Sequence, residues 1–352
     1  MTNKSEKAKT ALDNLIRKSR IHFYKPIQIA EILYRHRIGE LDDLSDVESY
    51  RSASKAWRDQ ISRSLLGSVC TSSSRFQDDL FHKTAIPPSV LSVLGAENNR
   101  TGGAVEAYIY GRFDHKHEQL RQILEYCEKT SPANFDVRTV INSFWREPGL
   151  KRSLDKVYEI IVYSLFTTII DALELKVSIE IDRTKQSLLT EFEDFTAKVL
   201  CVDFSRPVYR QKARVFRVGV TNAADRGLDM YSNWGPAIQV KHLTLDESLA
   251  NDIVGEIQSD RIVIVCKDAE KNVLVSVLQQ IGWHSRIQSV VTEEDLQKWY
   301  ERALRGAFAT QMGSRLLATF AEQMQLEFPS TGTRSPAIDK RHYEKISDPD
   351  WR

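Results

Sequence analysis

The run Arg261-Ile262-Val263-Ile264-Val265-Cys266 constrains the fold more than any other stretch. It is almost continuously apolar, with no polar alternation, as expected of a β-strand covered on both faces. A strand of that kind requires a helical layer on each side, and the pattern around it supplies one. From about residue 181 the chain reads as helix 185–201, strand 214–221, strand 237–245, helix 246–258, strand 261–266, helix 269–282, strand 286–291 and a helix from 293. That order predicts an α/β fold in which helices flank a mixed sheet.

Residues 1–180 read differently, as mainly helical. Ala11–Arg17 and Pro26–Tyr34 carry apolar residues at helical spacing, Pro26 suits a first helical turn, and Ser45 is placed to cap a helix whose early acids are Asp46 and Glu48. Ile160–Ile170 is the most apolar helix, bounded by Glu159 and Asp171. It falls short of the roughly 20 residues a bilayer needs, so it is expected in a core or a dimer interface. Residues 329–352 are polar and turn-rich, and a loosely ordered tail or an arm over a partner is expected there. The division is therefore 1–180, 181–328 and 329–352.

Composition fits a cytoplasmic enzyme with no membrane span. At 352 residues, 41% hydrophobic and 28% charged, the chain can bury a substantial core. Its net charge of +1 neither requires nor excludes a nucleic acid, because a balanced total can hide a basic cleft. Cys70, Cys127, Cys201 and Cys266 form no CxxC pair, which speaks against zinc and against a disulfide framework.

The chemistry concentrates in Gly227–Leu243, a turn-rich lead-in that opens onto the strand 237–245. Side chains two apart on a strand share a face, so Gln239 and Lys241 converge while Val240 and His242 point the other way. Gly235-Pro236 is a turn dipeptide able to bring Asp229 opposite Gln239. An acid, an amide oxygen and an amine then meet within reach of one ligand. Mg²⁺ favours hard oxygen donors, and Asp229, the Gln239 side-chain carbonyl, the Val240 backbone carbonyl and water suit an octahedral shell. With Lys241 to balance phosphoryl charge, this is the equipment for phosphodiester hydrolysis.

This arrangement resembles the PD-(D/E)XK nuclease superfamily, with Asp229 as the first acid and Gln239-Val240-Lys241 as the second element. Gln239 stands where an Asp or Glu is usual, so a further carboxylate is expected. Glu191 is the candidate, because it flanks the helical stripe Leu188, Phe192, Phe195 and Val199. Longer strings, Leu12-Asp13-Asn14-Leu15-Ile16, Tyr24–Tyr34, Gly103–Tyr110 and Asp229–Leu243, are similar to the HaeII family of type II restriction endonucleases. That resemblance implies a restriction-endonuclease-like core behind the helical region, which would serve DNA recognition and dimerisation. It implies Mg²⁺-dependent cutting of double-stranded DNA at a short palindrome, purine-GCGC-pyrimidine being the target associated with the family. A palindrome has two equivalent half-sites, so a homodimer is expected. A DNA methyltransferase of the same specificity is the expected functional partner.

DNA contacts are sought in two stretches that join small polar side chains to arginine: Ser73 and Arg75 in 71–75, and Asn99 and Arg100 in 98–103. Two other readings stay open: a structure-directed repair or resolving nuclease, and a sequence-specific DNA-binding protein that has lost cleavage, as the missing acid at 239 would suggest. Three tempting motifs are read as structural. Tyr108-Ile109-Tyr110-Gly111 lacks the upstream half of a GIY-YIG signature and is expected in a core; Asp114-His115-Lys116-His117 is expected as an exposed charged loop; His242 is expected to be packed.

Overall fold

The computed structural model describes residues 2–69, 80–147, 149–218, 228–278, 286–329 and 335–351. Its first half is helical: α1 (Asn3–Lys18), α2 (Tyr24–Arg37), α3 (Val47–Leu66), α4 (Pro88–Arg100) and α5 (Ala104–Lys129). Ile27, Ile29, Ala30, Ile32 and Leu33 are all fully buried, so α2 is apolar nearly all round, as befits a central helix. Its buried polar residues are paired: Gln28 donates to Ser54 Oγ at 2.9 Å, and Glu31 meets Arg341 and Tyr110. Tyr108, Ile109 and Tyr110 lie in α5 within this core.

The stretch 335–351 is not a loose tail. Trp351 is 5% exposed against the helical core, the Arg341 guanidinium is forked onto Glu31, and the Tyr343 hydroxyl donates to Glu106 at 2.5 Å. The expectation failed because a polar average hides a few anchoring side chains spaced along the segment.

The helices α6 (Val137–Arg146) and α7 (Leu154–Ala172) lead to the sheets. β1 (Lys176–Glu180) and β2 (Val208–Lys212) form an antiparallel pair of their own, unforeseen in the sequence. β3 (Val215–Arg217), β4 (Met230–Ser232), β5 (Ala237–Leu245), β6 (Ile262–Ala269) and β7 (Ile287–Thr292) form a five-stranded sheet in chain order. The pairs β3–β4 and β4–β5 are antiparallel, and β5–β6 and β6–β7 are parallel. Between the parallel strands run α8 (Glu247–Glu256) and α9 (Lys271–Leu278), and after β7 come α10 (Glu293–Arg305) and α11 (Ala309–Glu327).

Burial along β6 is that of a strand covered on both faces. Val265 joins Ile238, Val240 and the α7 and α11 side chains, while Ile262, Ile264 and Cys266 pack with Ala250, Ile253 and Val273 from α8 and α9. The result is a mixed α/β fold with helices on both faces of a mixed sheet. The first cluster combines α7 with the sheet, so the expected boundary near 180 runs just beyond a helix that the sheet core depends on.

The helix expected over 185–201 is broken into Gln186–Glu191, Glu193–Phe195 and a π-turn at Thr196–Leu200, closed by Cys201 at φ 59°. Its stripe of Leu188, Phe192, Phe195 and Val199 is between 49% and 60% exposed and does not meet the sheet. With β1 and β2 it forms an arm in which Leu189 and Val202 are buried.

Candidate active site

The turn between β4 and β5 fixes the first acid. Gly235 sits at φ 122°, a region that an L side chain rarely adopts, and both the backbone N–H and the hydroxyl of Ser232 donate to the Pro236 carbonyl at 3.0 Å. This closes the hairpin with Tyr231 against Ala237 and Met230 against Ile238. Asp229 immediately precedes β4, and its Oδ2 accepts the Val240 N–H at 2.8 Å. The acid is thus bonded to the residue between the amide and the amine.

Gln239 is 1% exposed, and its Oε1 has no hydrogen-bond partner. Leaving a buried carbonyl unpaired costs about 1–3 kcal/mol, and an ion or a water at that oxygen would offset it. Lys241, one residue on from Val240, is partly exposed, and its charge acts on Asp229.

A second carboxylate comes from α7. Glu159 is 4% exposed, feels the Asp229 charge, and receives Lys156 Nζ on both oxygens at 2.7 and 2.9 Å. Burial, and then the Asp229 charge, push the Glu159 carboxyl up to about 7 despite Lys156. Burial also raises Asp229, against the pull of the Val240 N–H, Lys241 and Lys156. Two buried carboxyl groups that oppose each other's ionisation are hard oxygen donors of the kind that suits a divalent cation. Among the described residues no three His, Cys, Asp or Glu side chains cluster at metal-ligand spacing.

Glu191 is not part of this constellation. It ends the first piece of the broken helix on the exposed arm, and no described hydrogen bond or ion pair joins it to Asp229. The helix carboxylate beside Asp229 is Glu159. Its signal was a Lys156–Glu159 pair three apart at the head of the most apolar helix, where a lone acid needs a reason to be buried.

Ser73 and Arg75 lie outside the described residues. Asn99 and Arg100 are exposed at the end of α4, where Asn99 meets His36 Nδ1 at 3.3 Å and Arg100 pairs with Glu97 at 2.8 Å. His242 is packed edge-on to Tyr158, 3.3 Å from Glu293 but with no hydrogen bond aligned between them. Residues 114–117 are helical rather than an exposed loop. Lys116 donates to the Ser19 carbonyl at 2.7 Å, and His117, stacked on Phe113, is pushed by burial down to about 4.

The HaeII restriction endonuclease family matches the chain over residues 8–343. The chain is 51% identical over 341 residues to the type II restriction enzyme HaeII of Haemophilus aegyptius, covering 97% of this chain and 96% of that protein. It is 50% identical over 339 residues to the type II restriction enzyme NgoBI of Neisseria gonorrhoeae, covering 96% of each. No solved structure matches it.

Proposed function

The chain belongs to the HaeII restriction endonuclease family, which makes it a type II site-specific deoxyribonuclease, and from that premise we propose that Asp229, Glu159, Gln239 and Lys241 form its hydrolytic centre. We read the five-stranded sheet with α7 as a PD-(D/E)XK core, and the substrate as double-stranded DNA carrying a short palindrome, purine-GCGC-pyrimidine by family resemblance. The observations that carry the reading are the buried Glu159–Asp229 carboxyl pair, the Asp229–Val240 tether, and the unpaired Gln239 Oε1 on the same strand.

Mg²⁺ fits this donor set and, when bound, supplies Lewis-acid polarisation of the scissile phosphodiester. The side chains do the rest. Asp229, held by the Val240 N–H, and Glu159, steered by Lys156, present oxygens on one side. Gln239 adds a neutral oxygen, and the Val240 backbone carbonyl is a further donor. Lys241 places a positive charge where the phosphoryl oxygens gain negative charge, an effect worth about 10²–10³ in rate for a single well-placed donor. Lys156 keeps Glu159 oriented through both of its oxygens.

Cutting both strands requires two hydrolyses, and the described residues of one chain hold one such centre, so we propose a homodimer acting in the cytoplasm beside a methyltransferase that protects the same sites. No helix among the described residues is long and apolar enough to cross a membrane. The test is incubation of the purified protein with unmethylated phage DNA, with Mg²⁺ or with EDTA, followed by sequencing of the fragment ends. Discrete fragments only with Mg²⁺ support the reading and give the site and stagger together. A smear points to a structure-directed nuclease. Intact DNA with a specific gel shift points to a binding protein disabled by Gln239.

A further inference from the structure

We propose that the arm 173–213 is a dimerisation device whose exposed helical stripe seats in an apolar groove on the body of a second copy of this chain. The proposal rests on the two-copy reading above and names the surface that reading requires.

Two unpartnered apolar features carry it. The arm presents Leu188, Phe192, Phe195 and Val199, all about half exposed or more, on a segment that the chain's own core does not cover. The body presents a groove of about 560 Å³ lined by Phe166, Ile169 and Ile170 of α7, Trp299 of α10, and Phe308 and Met312 at the start of α11. Contiguous exposed apolar surface of this kind is a mark of an interaction site. Leu173, 62% exposed, lines the groove and begins the chain that leads out to the arm, so the two surfaces adjoin.

Size and charge favour a second copy as the occupant. Half exposed, a large apolar side chain leaves on the order of 100 Å² open. The four stripe residues then present roughly 400 Å², and because each copy also contributes its groove, the two-fold contact approaches the ~800 Å² each partner gives to a standard interface. Acids flank the stripe at Glu191 and Glu193, and the exposed Arg302 lines the groove. Stripe and acids on one surface, apolar wall and arginine on the other, are complementary within one sequence. A two-fold arrangement makes the contact twice, arm to groove and groove to arm.

The experiment is sedimentation equilibrium of the full chain beside Phe195→Asp in the arm and Phe308→Asp in the groove, with circular dichroism to check the fold of each. Both side chains are exposed, 51% and 62%, so the folded chain accommodates the charge. The expected result is a wild-type dimer and at least about 100-fold weaker self-association for each variant. Mixing the two variants should restore intermediate association, because a mixed dimer keeps one arm-to-groove contact intact. A wild-type chain that stays monomeric with and without DNA overturns the two-copy reading and this proposal with it. A wild-type dimer with either variant still fully dimeric overturns the arm-in-groove contact alone. Failure of the mixed sample to associate above either variant overturns the pairing of arm with groove.

Discussion

The Asp229 carboxylate accepts the Val240 N–H at 2.8 Å, which ties the acid to the strand residue between Gln239 and Lys241. The centre is therefore set by backbone register: the β4–β5 hairpin delivers the acid, and the pleat of β5 delivers the amide and the amine to one face. Little side-chain entropy remains to be lost when a phosphate arrives.

Asp229→Ala removes a donor and its charge, and Lys241→Ala removes the positive charge near the phosphate. Each is expected to lower cleavage by at least about 10²-fold while specific binding in gel shifts persists, since neither is assigned to base contacts. Plasmid digestion with Mg²⁺ measures the first and mobility shift in EDTA the second. Undiminished cleavage by either variant removes these residues from the centre.

Glu159 gives a pH signature. Its carboxyl stands at about 7 in the fold against an ordinary 4.5, so the fold favours the protonated form. That stabilisation is fully present below about pH 4.5 and is lost as pH rises through about 7, at most about 3 kcal/mol. Asp229 is shifted in the same direction. The melting temperature of the metal-free protein should fall between about pH 5 and pH 8, and Glu159→Gln, which cannot ionise, should flatten that fall. Parallel curves for the two proteins in EDTA would remove Glu159 from its assigned place.

Strands were readable because burial writes itself into composition. The run 262–266 carries both helical layers in its apolarity, and 237–245 carries the hairpin in Gly235-Pro236. Glu159 was hidden by the same logic: a single acid between Tyr158 and Ile160 reads as the edge of an apolar helix, because its partners Asp229 and Lys156 are decided by how α7 crosses the sheet. Glu191 flanks Leu188, Phe192, Phe195 and Val199, whose spacing is core-like, and periodicity cannot tell a face buried by the chain itself from one left open. The β1–β2 pair leaves no clear sequence signal because its mixed polar and apolar residues belong to an exposed arm rather than to a core.

The C-terminal segment is expected to hold the helical half together. Arg341 and Glu31 are 6% and 1% exposed at the side chain, a buried pair with Tyr110 bonded to the same acid. Arg341→Met leaves Glu31 buried without its cation, and losses of about 3–5 kcal/mol follow when one partner of such a pair is removed. Urea unfolding reads the change. The double variant Arg341→Met/Glu31→Gln should recover part of it, which separates loss of charge balance from loss of packing.

Gln239→Glu tests why an amide stands where the superfamily pattern has an acid. A carboxylate at a position 1% exposed, on the strand to which Asp229 is bonded, adds buried negative charge that a bound cation would relieve. In EDTA the variant should therefore melt below wild type, with the deficit growing as pH rises through about 7, where Glu159 ionises. With Mg²⁺ the order should narrow or reverse, because the added charge strengthens binding to the cation, and binding to the folded state alone adds RT ln(1 + [L]/Kd) to stability. Equal melting temperatures in EDTA and an unchanged Mg²⁺-induced shift would place Gln239 away from the cation and leave its unpaired oxygen without a role in the reaction.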